Sequence, residues 1–392
     1  MSYWKYLLNV LLKNKLNFIP LAILFAAAIF LLSANSRTAD QNSFVGDIKR
    51  NQAIIEQQLA QREEQLADQK NLDKEELADL RKSSAMLEKE RNKNQAMIDF
   101  ASKKQWNKAY ELKLAIIDDL LLRVESGDIA PEDNSDFIEH LNNEKTLYTK
   151  LQKLNLAVDP INLETKGFTF TYRMQAVLIP LIFTICLIAL LVNLFYNGYV
   201  NGIFIERMFP RPQINLQLSK IAFGFTQGAL LYLLFLLTNF LLASVTNGTS
   251  SPAYPLILAT DSDVTLAVGA AISQAALLHL LGIFFLTCVI YLLVSVTKNR
   301  LATMLVATLG LGGLILMTGQ FAPLNSILHV LPTTYFNAAQ VVTDELALAT
   351  QNTQINLLTG LLVLVISNLL LLTAIIFLNQ KAERHQLLYQ KR

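Results

Sequence analysis

Long apolar runs and one long polar stretch divide the chain. The apolar runs are Phe18–Ala34, Ala176–Phe195, Ile221–Ala243, Leu266–Val296, Leu301–Gly319 and Leu357–Leu378. A hydrocarbon layer about 30 Å thick takes roughly 20 residues as helix. Five of the six runs fit one crossing each, the first on the short side. The fourth is too long for one upright crossing and is expected to begin with a tilted or interfacial piece before His279. No run alternates as a barrel strand does, and an open sheet could not satisfy its backbone in lipid. The pattern therefore predicts an all-α integral membrane protein with six transmembrane helices. Residues 1–17 precede the first span, 18–34. Residues 35–174 form a polar insert, and residues 175–392 carry the other five spans, at 176–195, 221–243, 266–296, 301–319 and 357–378.

The insert has its own pattern. From residue 40 to 126 it reads as helix with little interruption, since no Pro falls between Pro20 and Pro131 and Gly46 is the only Gly before Gly127. Capping-box spacings at Asp73/Glu76 and Ser102/Gln105 cut the run into helices. Gly127 and Pro131 end the third helix, and a fourth spans about 135 to 154. A heptad register from Ile48 to Met97 has only seven apolar residues in fifteen core positions. That is weak for a coiled coil and favours a polar antiparallel hairpin. Trp106, Tyr110, Leu114, Ile117 and Leu121 form one apolar stripe at helical spacing, and Phe137, Leu141, Tyr148 and Leu151 form another. They are expected to pack together as a small core. A groove for peptide or lipid is the alternative.

Charge sets the orientation. Residues 34–173 hold 21 of the 33 Lys and Arg and 25 of the 31 Asp and Glu. The insert is thus net −4 and the remainder net +6, which the overall +2 conceals. Outside the insert, the cations are Lys5, Lys13, Lys15, Arg207, Arg211, Lys220, Lys298, Arg300, Lys381, Arg384, Lys391 and Arg392. With six crossings all twelve fall on one side, while loops 244–265 and 320–356 have none. The positive-inside rule then places both termini in the cytoplasm and residues 35–174 outside the cell. The residues before Ser36 make a poor cleavage site, with Leu32 at the wrong place, so the first span reads as an uncleaved anchor.

Chemistry-bearing motifs are scarce. The sequence has no phosphate-binding G-x-x-x-x-G-K-[ST], no H-E-x-x-H, no G-x-S-x-G and no zinc-ligand spacing. Catalytic, cofactor and metal residues are therefore assigned to none, and no nucleic-acid partner is expected. Cys186 and Cys288 lie in apolar runs and read as buried thiols. Gly310, Gly312 and Gly313 in the fifth run are expected to allow close helix packing. His140 and His385 sit in polar stretches and read as solvated. No Asp or Glu lies within a span, which argues against an ion-driven carrier. His279 remains as a possible intramembrane polar site, with Gln274 and Ser273 nearby.

One loop carries more information. Residues 197–220 place Glu206, Arg207, Met208 and Phe209 before Pro210-Arg211 and then an apolar stretch ending in Ser219-Lys220. This resembles the loop between the second and third spans in permeases of the ABC type-2 exporter family. An amphipathic start with Trp4, Tyr6, Leu7, Val10 and Leu11 among Lys5, Lys13 and Lys15, six spans, and a broken segment at Phe321–Gln340 agree with it. The resemblance covers the N-terminal helix and about 175–392. The loop lacks the Gly-Thr step that often follows the family's Glu, and the insert is far larger than in plain members. Large helical inserts after span one look like those of Gram-positive permeases tied to peptide export or resistance.

The resemblance implies a bacterial cell-membrane permease whose loop helix docks on a separate ATP-binding subunit. That subunit would bind ATP and Mg. A second permease copy or a related permease would complete the assembly, embedded in membrane lipid. The cargo would be an amphipathic peptide or lipid-like molecule. A plan of one span, an exported helical domain and five spans is also similar to phage-infection and type VII secretion accessory proteins. They imply a non-transporting scaffold or receptor. A sensor like the four-span mechanotransmitting ABC proteins is a third expectation, disfavoured by six spans.

Overall fold

A computed structural model describes residues 3–67, 74–127, 134–200, 203–204 and 213–390. Helices dominate, and six of them are long and apolar enough to cross a membrane. The chain starts with α1 (Tyr3–Lys13), a single 3-10 turn and α2 (Phe18–Ala39). Pro20 falls in the first turn of α2, where its missing N–H costs no hydrogen bond. The insert follows as α3 (Phe44–Ala67), α4 (Lys74–Ser102), α5 (Trp106–Glu125) and α6 (Asn134–Leu154). Next come α7 (Gly167–Val177), a π turn (Ile179–Phe183) and α8 (Thr184–Tyr196). The remaining long helices are α9 (Gln213–Asn247), α10 (Val268–Thr297) and α15 (Leu357–Gln390). Between the last two, α11 (Arg300–Ala307) and α12 (Gly313–Met317) are joined by a second π turn. Three 3-10 turns from Ala322 to Phe336 lead into α13 (Ala338–Val342) and α14 (Glu345–Thr350).

Two antiparallel pairs interrupt this all-helical expectation. β1 (Tyr199–Val200) pairs with β2 (Ile203–Phe204), and β3 (Pro255–Leu258) pairs with β4 (Asp261–Ala267). The second pair corrects the reading of the fourth apolar run. Leu266 and Ala267 belong to a strand, and α10 then runs unbroken through His279, with no separate interfacial piece. Pro255 and the Ser, Val and Thr of β4 favour an extended backbone over helix. The hairpin tip is anchored by an Ala259 N–H donated to the Thr343 carbonyl at 2.9 Å and by Thr260 Oγ1 donating to Asp344 at 2.8 Å.

Within the bundle, α8 and α10 are central. Buried shares of 72% and 61% in their apolar windows contrast with 17–33% for the others. The peripheral helices therefore present broad apolar faces, as a lipid solvent requires. Gly310 and Gly313 lie on such a face. A Cβ added to either would meet nothing within 4 Å, so they mediate no close helix packing inside this chain, contrary to expectation. Gly360 does serve close packing, because a Cβ there would lie 2.5 Å from the Tyr335 ring.

The insert core centres on Phe44. Its ring stands edge-on to Trp106, Tyr110 and Tyr148, with centroids 6.2, 5.2 and 5.9 Å away. Tyr110 and Tyr148 are themselves 5.2 Å apart. The two predicted stripes thus meet, and Ile48, Met97 and Ala101 of the hairpin join them. The polar hairpin also carries a hydrogen bond from Arg62 to Ser83. At the α4–α5 corner the predicted capping box does not form. Ser102 turns back to the Asp99 carbonyl at 2.8 Å, and Gln105 becomes the N-cap without a side-chain bond. The Asp73 start signal lies outside the described residues.

The core continues from the insert into the bundle. Tyr148 and Leu151 share one buried cluster with Tyr254, with Val268 to Leu278 of α10, and with Tyr335 and Leu364. The Tyr110 hydroxyl donates to the Leu156 carbonyl at 2.9 Å and accepts the Val158 N–H at 2.8 Å. Burial raises the Tyr110 and Tyr148 phenols well above the usual range, so both stay neutral donors. Asp159, buried, receives Thr169 Oγ1 and pairs with Lys166 at 3.3 Å. The first turn of α7 then docks on the loop after α9. Gly167 N–H donates to the Gly248 carbonyl at 2.9 Å and Phe168 N–H to Thr249 at 3.1 Å. A Cβ on Gly167 would fall 2.2 Å from Ser244 Oγ, so only glycine fits this approach.

This geometry yields a ranked expectation. Phe44→Ala should destabilise the insert by about 3–5 kcal/mol through a cavity among three rings. Tyr110→Phe should cost about 1–2 kcal/mol, because it strands the Val158 N–H. Thermal unfolding of the purified chain checks both, and equal stability of the two variants would contradict the hub assigned to Phe44.

Candidate functional site

Two polar constructions lie within the bundle, one toward the insert and one at the α1 end. The first surrounds His279, which sits on α10 about 16 Å along the helix from Val268. Its ring is 2% exposed. Nε2 lies 3.1 Å from the Phe336 carbonyl, which can only accept, so Nε2 carries the proton. Nδ1 lies 3.1 Å from the Tyr232 hydroxyl of α9 and takes the acceptor role. Tyr232 in turn accepts from Gln175 Nε2 of α7 at 2.7 Å. Gln175 Nε2 also donates to the Ile272 carbonyl at 3.2 Å, which fixes the amide's orientation. All donors therefore run one way, from Gln175 through Tyr232 and a neutral imidazole to Phe336. This chain ties α7, α9, α10 and the last 3-10 turn together.

Gln274 and Ser273 do not join it. Ser273 bonds back to the Ala270 carbonyl at 2.8 Å, and Gln274 is half-buried on another part of α10. The partners that matter, Gln175 and Tyr232, come from other helices. The only sequence signal for Gln175 is an amide beside an apolar run, and Tyr232 is hidden among aromatic residues.

The second construction faces the 197–220 loop. Glu206, Arg207, Met208, Phe209 and Arg211 lie outside the described residues. On either side of them stand the β1–β2 pair and α9, which starts at Gln213, eight residues before the predicted span. Lys220 corrects the loop reading: it is inside α9 and 1% exposed. Its Nζ donates to the Phe195 carbonyl at 3.1 Å, in the last turn of α8. A cation at a helix C-terminus satisfies an orphan carbonyl and meets the negative end of the macrodipole. Leu216, Lys220 and Phe223 share one buried face of α9.

The amphipathic α1 lies against the same corner. Tyr3 and Leu7 are buried, and Trp4 stands edge-on to Phe223 at 5.5 Å. Asn17 links α1 to the bundle, donating to the Leu11 carbonyl at 2.8 Å and accepting from Asn193 at 2.7 Å. Nearby on the same side, Asn299 caps α11 by accepting the N–H groups of Leu301 and Ala302 at 3.0 and 3.2 Å. Cys186 and Cys288 are buried free thiols, the former 3.2 Å from the Pro20 carbonyl. His140 is exposed, and the side chain of His385 lies outside the described residues.

No family model matches this chain, and neither the curated proteins nor the solved structures yield a match.

The His279 chain predicts a specific sensitivity. Tyr232→Phe removes the donor to Nδ1 and one acceptor for Gln175 at once, leaving the imidazole nitrogen unpaired and Gln175 with only its Ile272 bond. The expected loss is about 1–3 kcal/mol, read as a lower unfolding temperature in detergent or nanodiscs. A variant as stable as the parent would contradict the directed hydrogen-bond chain.

Proposed function

We propose that this chain is the membrane-spanning permease subunit of an ATP-driven exporter, with both termini cytoplasmic and the insert outside the cell. The supporting observation is the Lys220–Phe195 bond. It clamps the end of α8 to the start of α9, so the two helices flanking the 197–220 loop are joined at its base. A force applied to that loop by an ATP-binding subunit would move α8 and α9 as one body. Because α8 is a central helix of the bundle, the motion would reach α10 and the His279 chain. The α1 helix, seated on the same corner, lies where the inner membrane surface would be.

The near-absence of charge in the spans supports an external energy source over an ion gradient. Cargo held by such spans would be an amphipathic peptide or a lipid-like molecule. ATP and Mg would be bound by the partner subunit, and a second permease would complete the pathway.

A second reading is a scaffold or receptor that does not transport. One observation favours it: the insert shares its buried core with the adjoining ends of the spans, which suits the transmission of a binding event.

Co-purification separates the two. On the exporter reading the chain carries an ATPase, and its turnover falls at least tenfold when Glu206 and Arg211 are both replaced by alanine. Recovery in a secretion or receptor complex, with no ATPase bound at 197–220, would overturn it in favour of the scaffold.

A further inference from the structure

A cavity of about 420 Å³ opens where the insert meets the bundle. Its walls come from the return segment 159–164, α7, β3 and the α13–α14 turn, four stretches distant in sequence. This volume is within the range of small-ligand sites, and its lining has the same mixed character. One part is apolar, with Val177, Leu256 and Ile257. The other part is charged and aromatic, with Glu164, Arg173, Tyr172 and Glu345.

Acidic groups outnumber basic ones around the cavity. Lys166 neutralises Asp159 at 3.3 Å. Arg173 gives its closest contact, 2.8 Å, to the Asn162 amide oxygen and only reaches Glu164 at 3.8 Å. Glu345 hydrogen-bonds the Thr343 side chain and is attracted by Arg173 without forming a close ion pair, and partial burial lifts its carboxyl above the usual glutamate range. Three carboxyl groups thus lie around the cavity with two cations. Burial also lifts Glu164 above the usual glutamate range, so its ionised form gains from any further positive charge placed nearby. The Tyr172 hydroxyl is engaged at 3.4 Å with both the Ala339 carbonyl and Thr343, and the residue, though largely buried, lines the cavity.

We propose that this cavity binds an amphiphile whose polar end is a primary ammonium. The ammonium lies beside the Glu345 carboxylate and the Tyr172 ring, and the apolar part lies along Leu256, Ile257 and Val177. Ion pairing and a cation–aromatic contact both select positive charge there. A lysine side chain of an apolar peptide and an aminophospholipid headgroup share this chemistry. The site belongs to the chain alone and does not depend on coupling to an ATPase.

The test uses the full chain in phosphatidylcholine nanodiscs, with n-hexylammonium as probe and hexanol and hexanoate as neutral and anionic controls. Calorimetry should show saturable hexylammonium binding at least fivefold tighter than hexanol. Glu345→Gln, an isosteric change at an exposed position, should abolish that preference and leave hexanol binding unchanged. Leu256→Trp, which fills the apolar side, should weaken all three probes. Competition then identifies the source: either a lysine-bearing apolar pentapeptide, but not its acetylated form, or phosphatidylethanolamine vesicles should displace the probe. Equal binding of hexylammonium and hexanol, preference for hexanoate, an unchanged Glu345→Gln variant, or displacement by neither competitor would each overturn the proposal.

Discussion

A bilayer interior offers no water, so polar groups within the spans are driven to find partners inside the chain, and most donors here do, although the Gln175 and Asn368 side-chain oxygens have none among the described residues. That constraint organises this bundle more than any other. Asn368 donates to the Leu281 carbonyl, Asn239 to Phe235, and Asn17 meets Asn193. The longest such arrangement, from Gln175 to Phe336, spans four structural elements. Lys220 obeys the same rule, donating to a carbonyl in the last turn of a neighbouring helix. Polar contacts in lipid are individually modest, so these bonds specify which helices touch more than they add net stability. Apolar contact alone would leave helix rotation weakly determined.

The insert answers the opposite problem. It is rich in charge and has little apolar surface to bury, so it concentrates that surface in one aromatic cluster near its base. The distal hairpin of α3 and α4 is held mainly by Ile55, Leu59 and a few polar bonds. At the base, Tyr148 and Tyr254 connect this cluster to α10 and Tyr335. The insert is therefore built onto the ends of the spans and is not tethered to them by a linker. Gly167 at the start of α7 and the buried Asp159 make the joint. The proposed ammonium cavity opens beside that joint, against α7, whose Gln175 begins the hydrogen-bond chain to His279. Occupancy of the cavity could thus be felt by α8 and α9 through contacts already described, a physical link between the insert and the corner held by Lys220.

Much of this was legible in the sequence. Apolar length located six helices long enough to cross a membrane, and Gly127, Pro131 and the helical stripes placed α5 and α6 almost to the residue. Local rules failed where tertiary contacts prevailed. Leu266 and Ala267 look like the start of a span, but pairing with Pro255 and Leu256 makes them a strand. The Ser102–Gln105 spacing suits a capping box, yet Lys104 adopts φ 57° and turns the corner differently. Lys220 reads as a loop cation, and only the position of Phe195 shows why burial suits it. Gln175 and Tyr232 lie 57 residues apart, a pairing that no local pattern announces. The glycines of span five look like a packing motif, but a Cβ on Gly310 or Gly313 would meet nothing within 4 Å.

The central claim is that the insert and the lysine-bearing turns occupy opposite ends of one bundle and therefore opposite sides of a membrane. Single cysteines test it most directly, because the native Cys186 and Cys288 are buried. Ser126→Cys, at the exposed end of α5, and Lys298→Cys, in the exposed turn between α10 and α11, are each treated with a membrane-impermeant maleimide. The account predicts labelling at position 126 in intact cells and at position 298 only after permeabilisation. Labelling of both positions in intact cells, or of 298 alone, would contradict it.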